Sequence, residues 1–309
     1  MTTMTNIFNG RFLIVLLPLL SCSNNASSGN NTIFANDSTF TQDIKLPPVP
    51  KAISFADEQV PLHYFDIRES LSREITSLSY FHGTMIYIMQ LDNRYSRTIK
   101  EILKQEEVPE DFYYLCIAES MLQPLVSPAN AAGYWQFLAG TAREYGLVVD
   151  NEVDERYHIE KSTRAAAAYF KKAYAEFGTW TMAAASYNTG FTNVRYRISK
   201  QSNNSYFDTQ FVEETGRYVF RALAFKIILN DRARYGFNLN KEDLYPPLEY
   251  YEVEVKGAVE NWSDFAAKHD TNFKLLKMYN QWIRANNLTN KQNRVYIVKL
   301  PKKGFRERQ

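Results

Sequence analysis

Residues 108–121 read VPEDFYYLCIAESM. Pro109 stands at a first-turn position, and the apolar spacing carries a helix from about 110 to 121. Phe112, Leu115, Cys116 and Glu119 fall at i, i+3, i+4 and i+7, which puts Glu119 on the apolar face of its own helix. A carboxylate there is either paired or raised in pKa by loss of water, and a raised pKa suits a general acid near neutral pH. The competing reading is a glutamate at a helix end that turns out to solvent or pairs with an arginine.

Downstream, Ser127–Phe137 (SPANAAGYWQF) is a loop marked by Pro, Asn and Gly, with rings crowding its exit. Thr141 begins a helix that stops near Tyr145-Gly146. Asp150, Glu152, Asp154 and Glu155 form an acidic cluster, expected to be a solvated loop in which Asp154 and Arg156 pair locally. Ser162 or Thr163 caps a helix over Arg164–Glu176, stopped by Gly178. Trp180–Tyr187 is a small-faced helix ending in the turn Asn188-Thr189-Gly190, and 213–230 is a further helix. Upstream, 62–106 reads as helical in three pieces, the first carried by Phe65, Leu71, Ile75 and Leu78. Strand character comes only late, at Tyr250–Val255 and Val295–Leu300, with a helical 262–288 between them. The expected fold class is mainly α: a helical extension (61–108), an α domain (109–240) and a small C-terminal α+β unit (245–305).

Composition narrows the partners. Lys+Arg 36 against Asp+Glu 34 gives a net charge of +2, so a polyanion such as nucleic acid is not the expected ligand. With 45% hydrophobic and 23% charged residues, wholesale disorder and fibrous repeats are excluded. Rings are numerous: 21 Tyr, 20 Phe and 4 Trp make 45, either a bulky core or a groove lining. Cys116 lies in an apolar stretch and reads as a small buried hydrophobe. Metal-ligand spacings are absent, and no cofactor or metal is expected.

The first residues read as an address. Arg11 precedes the apolar stretch Phe12–Leu20, too short to span a bilayer and of signal-peptide length. Leu19-Leu20-Ser21-Cys22 resembles the lipobox of bacterial lipoproteins, which implies a leader over 1–21 and lipidation of Cys22. Residues 22–60 are expected to be a flexible tether, rich in Ser, Thr and Asn and stiffened by Pro47, Pro48 and Pro50. Ser23, where Asp would follow in retained lipoproteins, resembles outer-membrane sorting. The expected location is the cell envelope, anchored in the outer membrane and facing the periplasm.

The stretch from Glu119 to Gly190 resembles the lytic transglycosylase (SLT, goose-lysozyme-like) domain. The linked blocks are Glu119-Ser120, Ser127 through Phe137, Thr141 through Leu147, Asp154/Arg156, Ser162 through Phe170, Phe177 through Trp180, and Tyr187 through Gly190. Glu214 through Val219, Arg234 through Phe237 and Val108-Pro109 resemble the membrane-bound transglycosylase D branch. The resemblance implies a lysozyme-like α domain that cleaves the β-1,4 bond between N-acetylmuramic acid and N-acetylglucosamine in peptidoglycan glycan strands. One glutamate, here Glu119, serves as acid and then base while the muramic C6 hydroxyl closes a 1,6-anhydro ring. It also implies substrate-binding roles for Ser127, Gln136, Tyr187, Asn188 and Tyr218, with the Tyr187 hydroxyl approaching the glutamate and Tyr134 a further cleft ring. Gly133 is expected to matter for backbone conformation and Trp135 for packing.

This chain departs from the family at Asn130, Tyr134, His158, Ser186 and Thr189, which bears on subsite preference rather than reaction class. Val259–Pro301 resembles a LysM glycan-binding repeat without the usual glycine before its closing strand; a structural cap is the alternative. Two other functions stay open: a hydrolysing muramidase, for which the cluster at 150–155 would supply the water-activating base, and a non-catalytic peptidoglycan-binding lipoprotein.

Overall fold

The computed structural model describes residues 44–307, so the expected leader, Cys22 and most of the tether lie outside the described residues. The first elements form a short hairpin, β1 (Ser54–Phe55) and β2 (Glu58–Gln59), turned by Ala56 and Asp57 in left-handed conformation. Residues 54–60 were expected in the tether, and the structure corrects this. Phe55 is fully buried and Val60 nearly so, because the hairpin lays its apolar residues on the helical core.

Helices α1 (Phe65–Ser79) and α2 (His82–Gln105) follow. The expected second and third pieces are one continuous α2, since no Gly or Pro interrupts them after Gly83. Phe65, read as part of the α1 stripe, is 75% exposed; Ile67, Leu71, Glu74, Ile75 and Ser79 are the buried residues. Helix α3 (Phe112–Ser120) is buried on every side from Phe112 to Ile117, so its apolar pattern is that of a central helix, not a one-sided one. It ends where Met121 and Leu122 turn left-handed.

Next come α4 (Ala139–Glu144), α5 (Ile159–Phe177), α6 (Trp180–Thr189), α7 (Phe191–Gln201) and α8 (Glu213–Asn230). Helix α5 starts five residues before the expected Arg164. Ser162 and Thr163, read as caps, lie inside it and donate back to the carbonyls of His158 and Ile159. Helix α7 has no counterpart in the sequence reading, which took the Gly190 turn as an end. The long α8 packs against α1, α3 and α6 and closes the helical body around one apolar core.

The C-terminal unit contains β3 (Tyr250–Val255), α9 (Trp262–Lys268), α10 (Phe273–Tyr279) and β4 (Tyr296–Pro301). The strands pair antiparallel, with Tyr250 opposite Pro301 and Val255 opposite Tyr296. The expected helical run 262–288 is two short helices. Asp270, in left-handed conformation, separates them. Buried Asn280 ends the second by bonding both the amide and the carbonyl of Lys299 in β4. A second apolar cluster around Trp262, Leu276, Trp282 and Val298 fills this unit and takes in Val153 from the helical body. The fold is mainly α, with a small α+β unit at the C-terminal end.

Candidate active site

Glu119 sits in the last turn of α3, half-buried, where the central helix emerges from the core. Tyr218 of α8 donates its hydroxyl to Glu119 Oε1 at 2.5 Å. Burial raises the Glu119 carboxyl from the ordinary 4.5 to about 7. The Tyr218 hydrogen bond and Arg221 pull it down, and Glu214 pushes it up. Glu214, Tyr218 and Arg221 lie at i, i+4 and i+7 of α8, so one face of that helix sets the electrostatics around the carboxyl. A carboxyl poised there donates or accepts a proton near neutral pH at little cost.

Helix α6 contributes Tyr187 and Asn188. The Tyr187 hydroxyl donates to the carbonyl of Trp135 at 2.6 Å, while the nearby Glu119 charge helps burial hold the phenol well above its ordinary range. The tyrosine bonded to the glutamate is therefore Tyr218, and Tyr187 ties α6 to the loop beside it. Asn188 Oδ1 accepts from Thr215 Oγ1 at 2.7 Å, joining α6 to α8.

The loop 125–137 forms the next wall. Ser127 Oγ accepts from the amide of Ala131 at 3.1 Å. Gln136, at φ 48°, donates its side-chain amide to the carbonyls of Leu125 and Gly133 at 3.0 and 2.8 Å. Gly133 is left-handed at φ 81°, and a Cβ there would lie 1.9 Å from the Arg156 carbonyl oxygen. Trp135 is fully buried and donates to Thr163 Oγ1 at 2.9 Å, a packing position as expected. Tyr134 is buried too, and its hydroxyl reaches Gln281 of the C-terminal unit rather than Glu119.

The acidic cluster is only partly a solvated loop: Asp150 is exposed and Glu152 half-buried, while Asp154 and Glu155 are buried. Asp154 and Arg156 are both buried and bonded at 2.7 Å, and Arg156 Nη1 donates to the carbonyls of Asn130 and Phe137. This pair rivets the loop 125–137 to the body. Asp150 accepts from the amides of Glu152 and Val153, Glu152 from Thr289, and Glu155 from Lys161 and the amide of Val148. Each of the four acids thus has a structural partner.

Sequence reasoning missed a clamp behind the site. Glu74 of α1 is buried and holds Arg217 at 2.5 Å and Arg221 at 3.5 Å, on the helix that carries Tyr218. The available signal was a glutamate sitting in the stripe of Leu71 and Ile75.

The "Transglycosylase SLT domain" pattern matches residues 96–209, and the "Soluble lytic transglycosylase C-terminal LysM-like domain" pattern matches 251–304. Membrane-bound lytic murein transglycosylase D of Escherichia coli K12 is 31% identical over 183 residues, as is that of the O6:H1 strain. Those alignments cover 57% of this chain, which spans 40% of the length of these curated relatives. Among solved structures, the 70 kDa soluble lytic transglycosylase of Escherichia coli superposes with a TM-score of 0.42 at 19% identity, covering 58% of this chain and 32% of that one. The chain therefore combines an SLT transglycosylase domain with a C-terminal LysM-like domain, and is a homologue of membrane-bound lytic murein transglycosylase D.

Proposed function

We propose that this chain is a peptidoglycan lytic transglycosylase in which Glu119 is the single general acid/base. The observation that carries the reading is the Glu119 carboxyl itself, raised by burial to about 7 and hydrogen-bonded by Tyr218. Protonated Glu119 gives its proton to the glycosidic oxygen between N-acetylmuramic acid and N-acetylglucosamine, and the C1–O bond breaks. The resulting carboxylate takes the proton of the muramic C6 hydroxyl as O6 bonds to C1. The 1,6-anhydro ring closes, the proton count balances and no water is consumed. Intramolecular attack replaces the second carboxylate that hydrolysing glycosidases use. That the acids at 150–155 all have structural partners favours this route over a hydrolysing one.

Around the carboxyl, Tyr218 tunes Glu119 directly. Tyr187 and Asn188 hold α6 against the loop and α8, and Ser127 and Gln136 shape the loop on which the strand would lie. The proposed division of labour keeps 109–240 as the catalytic domain, 61–108 as a helical extension that buttresses α8, and 245–305 as the LysM-like module. The membrane attachment proposed is lipidation at Cys22, on the periplasmic side of the outer membrane. Among the described residues, no helix is long and apolar enough to cross a membrane.

The test is digestion of purified sacculi by wild type and Glu119→Gln, read by mass spectrometry. Muropeptides with anhydro ends from the wild type, lost in Glu119→Gln, are expected. Equal release from both proteins would sink the enzyme reading, and reducing ends would turn it to a hydrolase.

A further inference from the structure

Glu74 lies in the apolar stripe of α1, only 2% exposed between Leu71 and Ile75. A carboxylate with so little water stays charged only where cations replace the water. Two cations do so here, both from α8. Arg217 Nε is 2.5 Å from Glu74 Oε1, and Arg221 Nε is 3.5 Å from Glu74 Oε2. The Tyr206 phenol is also close enough to feel the charges of Glu74 and Arg221. Farther out, Glu213 meets Arg73 at 2.7 Å and Arg217 at 3.5 Å.

Arg217 alone would neutralise Glu74, so the second arginine calls for a reason. Arg221 has another acid within electrostatic reach, Glu119 of α3. Both α1 and α3 pack against α8, so Arg221 stands between two carboxyl groups and is bound to the one on α1. The other groups acting on Glu119 or acted on by it are Glu214 and Tyr218 of α8, Tyr187 of α6 and Cys116 of its own helix. None of these is a cation. Among the described residues, the hydrogen-bond donor to Glu119 is the neutral Tyr218 hydroxyl. An arginine bonded directly to Glu119 would hold it ionised and remove the proton it has to give.

We propose that Glu74 is a positioning residue for the reaction: it detains Arg221 on the α1 side of α8, away from Glu119, and so leaves Glu119 its proton. The catalytic consequence rests on the reading of Glu119 as acid and base; the hold on Arg221 rests on the packing of α1, α3 and α8.

The test follows the Glu119 carboxyl by NMR in the full chain, isotope-labelled at glutamate, with Glu119→Gln to assign the signal. Glu74→Gln keeps the shape and removes the charge that detains Arg221, so the Glu119 midpoint should fall by about one pH unit or more. Arg221→Gln leaves the Glu74–Arg217 pair in place and should raise the midpoint. In the double variant Glu74→Gln/Arg221→Gln there is no arginine to release, and the midpoint should lie at or above that of the wild type. Loosened packing alone would admit water and lower the midpoint in all three, most in the double variant. A midpoint that stays or rises in Glu74→Gln, or a double variant as low as Glu74→Gln, overturns the proposal. Urea unfolding checks that each variant folds. If Glu74→Gln does not, Arg221→Gln decides, and a midpoint that stays or falls there overturns the proposal as well. Sacculus digestion separates this inference from the catalytic one. In an active enzyme the alkaline limb should follow the midpoint down in Glu74→Gln, and a limb that stays put overturns the role of Glu74. A chain whose midpoints move as stated but which releases no muropeptide loses the catalytic reading and keeps the hold of Glu74 on Arg221.

Discussion

The first half of the proposed reaction needs a proton on Glu119, and burial holds that proton up to about pH 7. Activity should therefore fall as pH rises through about 7. Tyr218→Phe removes the hydrogen bond that favours the ionised form, so the alkaline limb should move to higher pH; a limb that stays put or moves down contradicts the assignment. Stability should follow the same group. Its folded pKa lies above the ordinary 4.5, so the folded state holds the proton more tightly than the unfolded chain. Stability is thus fully present below 4.5, declines between 4.5 and about 7, and is level beyond. Glu119→Gln should consequently gain up to about 3 kcal/mol on wild type at pH 8 and little at pH 4.5, read by urea unfolding. A second residue-scale contrast concerns two glycines. Gly133→Ala meets the Arg156 carbonyl at 1.9 Å and a positive φ, and should cost about 3 kcal/mol or more. Gly140→Ala, in α4 with nothing within 4 Å, should gain up to about 1 kcal/mol, both variants being read by the same urea unfolding. The special status of Glu119 was legible because a short apolar helix has few reasons to end in a carboxylate. Its bond to Tyr218 was not legible from spacing, since 99 residues separate the two and only the packing of α3 against α8 brings them together.

Among the elements, the least expected is the hairpin β1–β2. Its Glu58 reaches across the chain to the start of α6, accepting from the amides of Trp180 and Thr181 and from Thr181 Oγ1. A carboxylate at a helix N-terminus satisfies orphan amides and complements the helix dipole. The helix it holds carries Tyr187 and Asn188 at its other end. Glu58→Ala should cost about 1–2 kcal/mol in denaturant unfolding, with Glu58→Gln recovering part of it, because an amide oxygen still accepts but carries no charge. No loss in either variant would remove the hairpin from the site's support. Composition drew residues 22–60 as one tether because Pro and polar residues dominate its start. Phe55 and Val60 are too few to signal a packed segment, and the contact that orders it lies more than a hundred residues away. The start of α5 was misread for a related reason. Ser and Thr satisfy amides at a helix start and carbonyls within a helix equally well, and the neighbouring geometry decides which.

For the whole molecule, the join between the helical body and the C-terminal unit is held by polar bonds over a small apolar overlap. The overlap includes Val153, which sits in the second cluster and pairs with Ile283, and Val148, which packs against that cluster. The bonds include the backbone amide of Asp154 donating to the carbonyl of Trp282, the backbone amide of Arg284 donating to the carbonyl of Glu152, and the ion pair of Glu160 with Lys299. Glu160 has already lost much of its water to burial, yet His158 and Lys299 hold its carboxyl down at about 2. A carboxyl lowered from 4.5 to about 2 contributes about 3 kcal/mol that is present above pH 4.5 and lost as pH falls toward 2. This slope is opposite to that of Glu119, so the two groups together favour maximal stability near pH 4.5–5 if other groups are flat. Lys299→Met removes one partner and keeps the aliphatic stem. It should destabilise the chain by about 2–3 kcal/mol at pH 7, and the gap to wild type should narrow as pH falls below 4.5, where Glu160 takes up a proton. Urea unfolding at pH 7, 5 and 3 measures it. A gap that stays constant over that range would mean the lysine acts by packing alone and that the join does not depend on the ion pair.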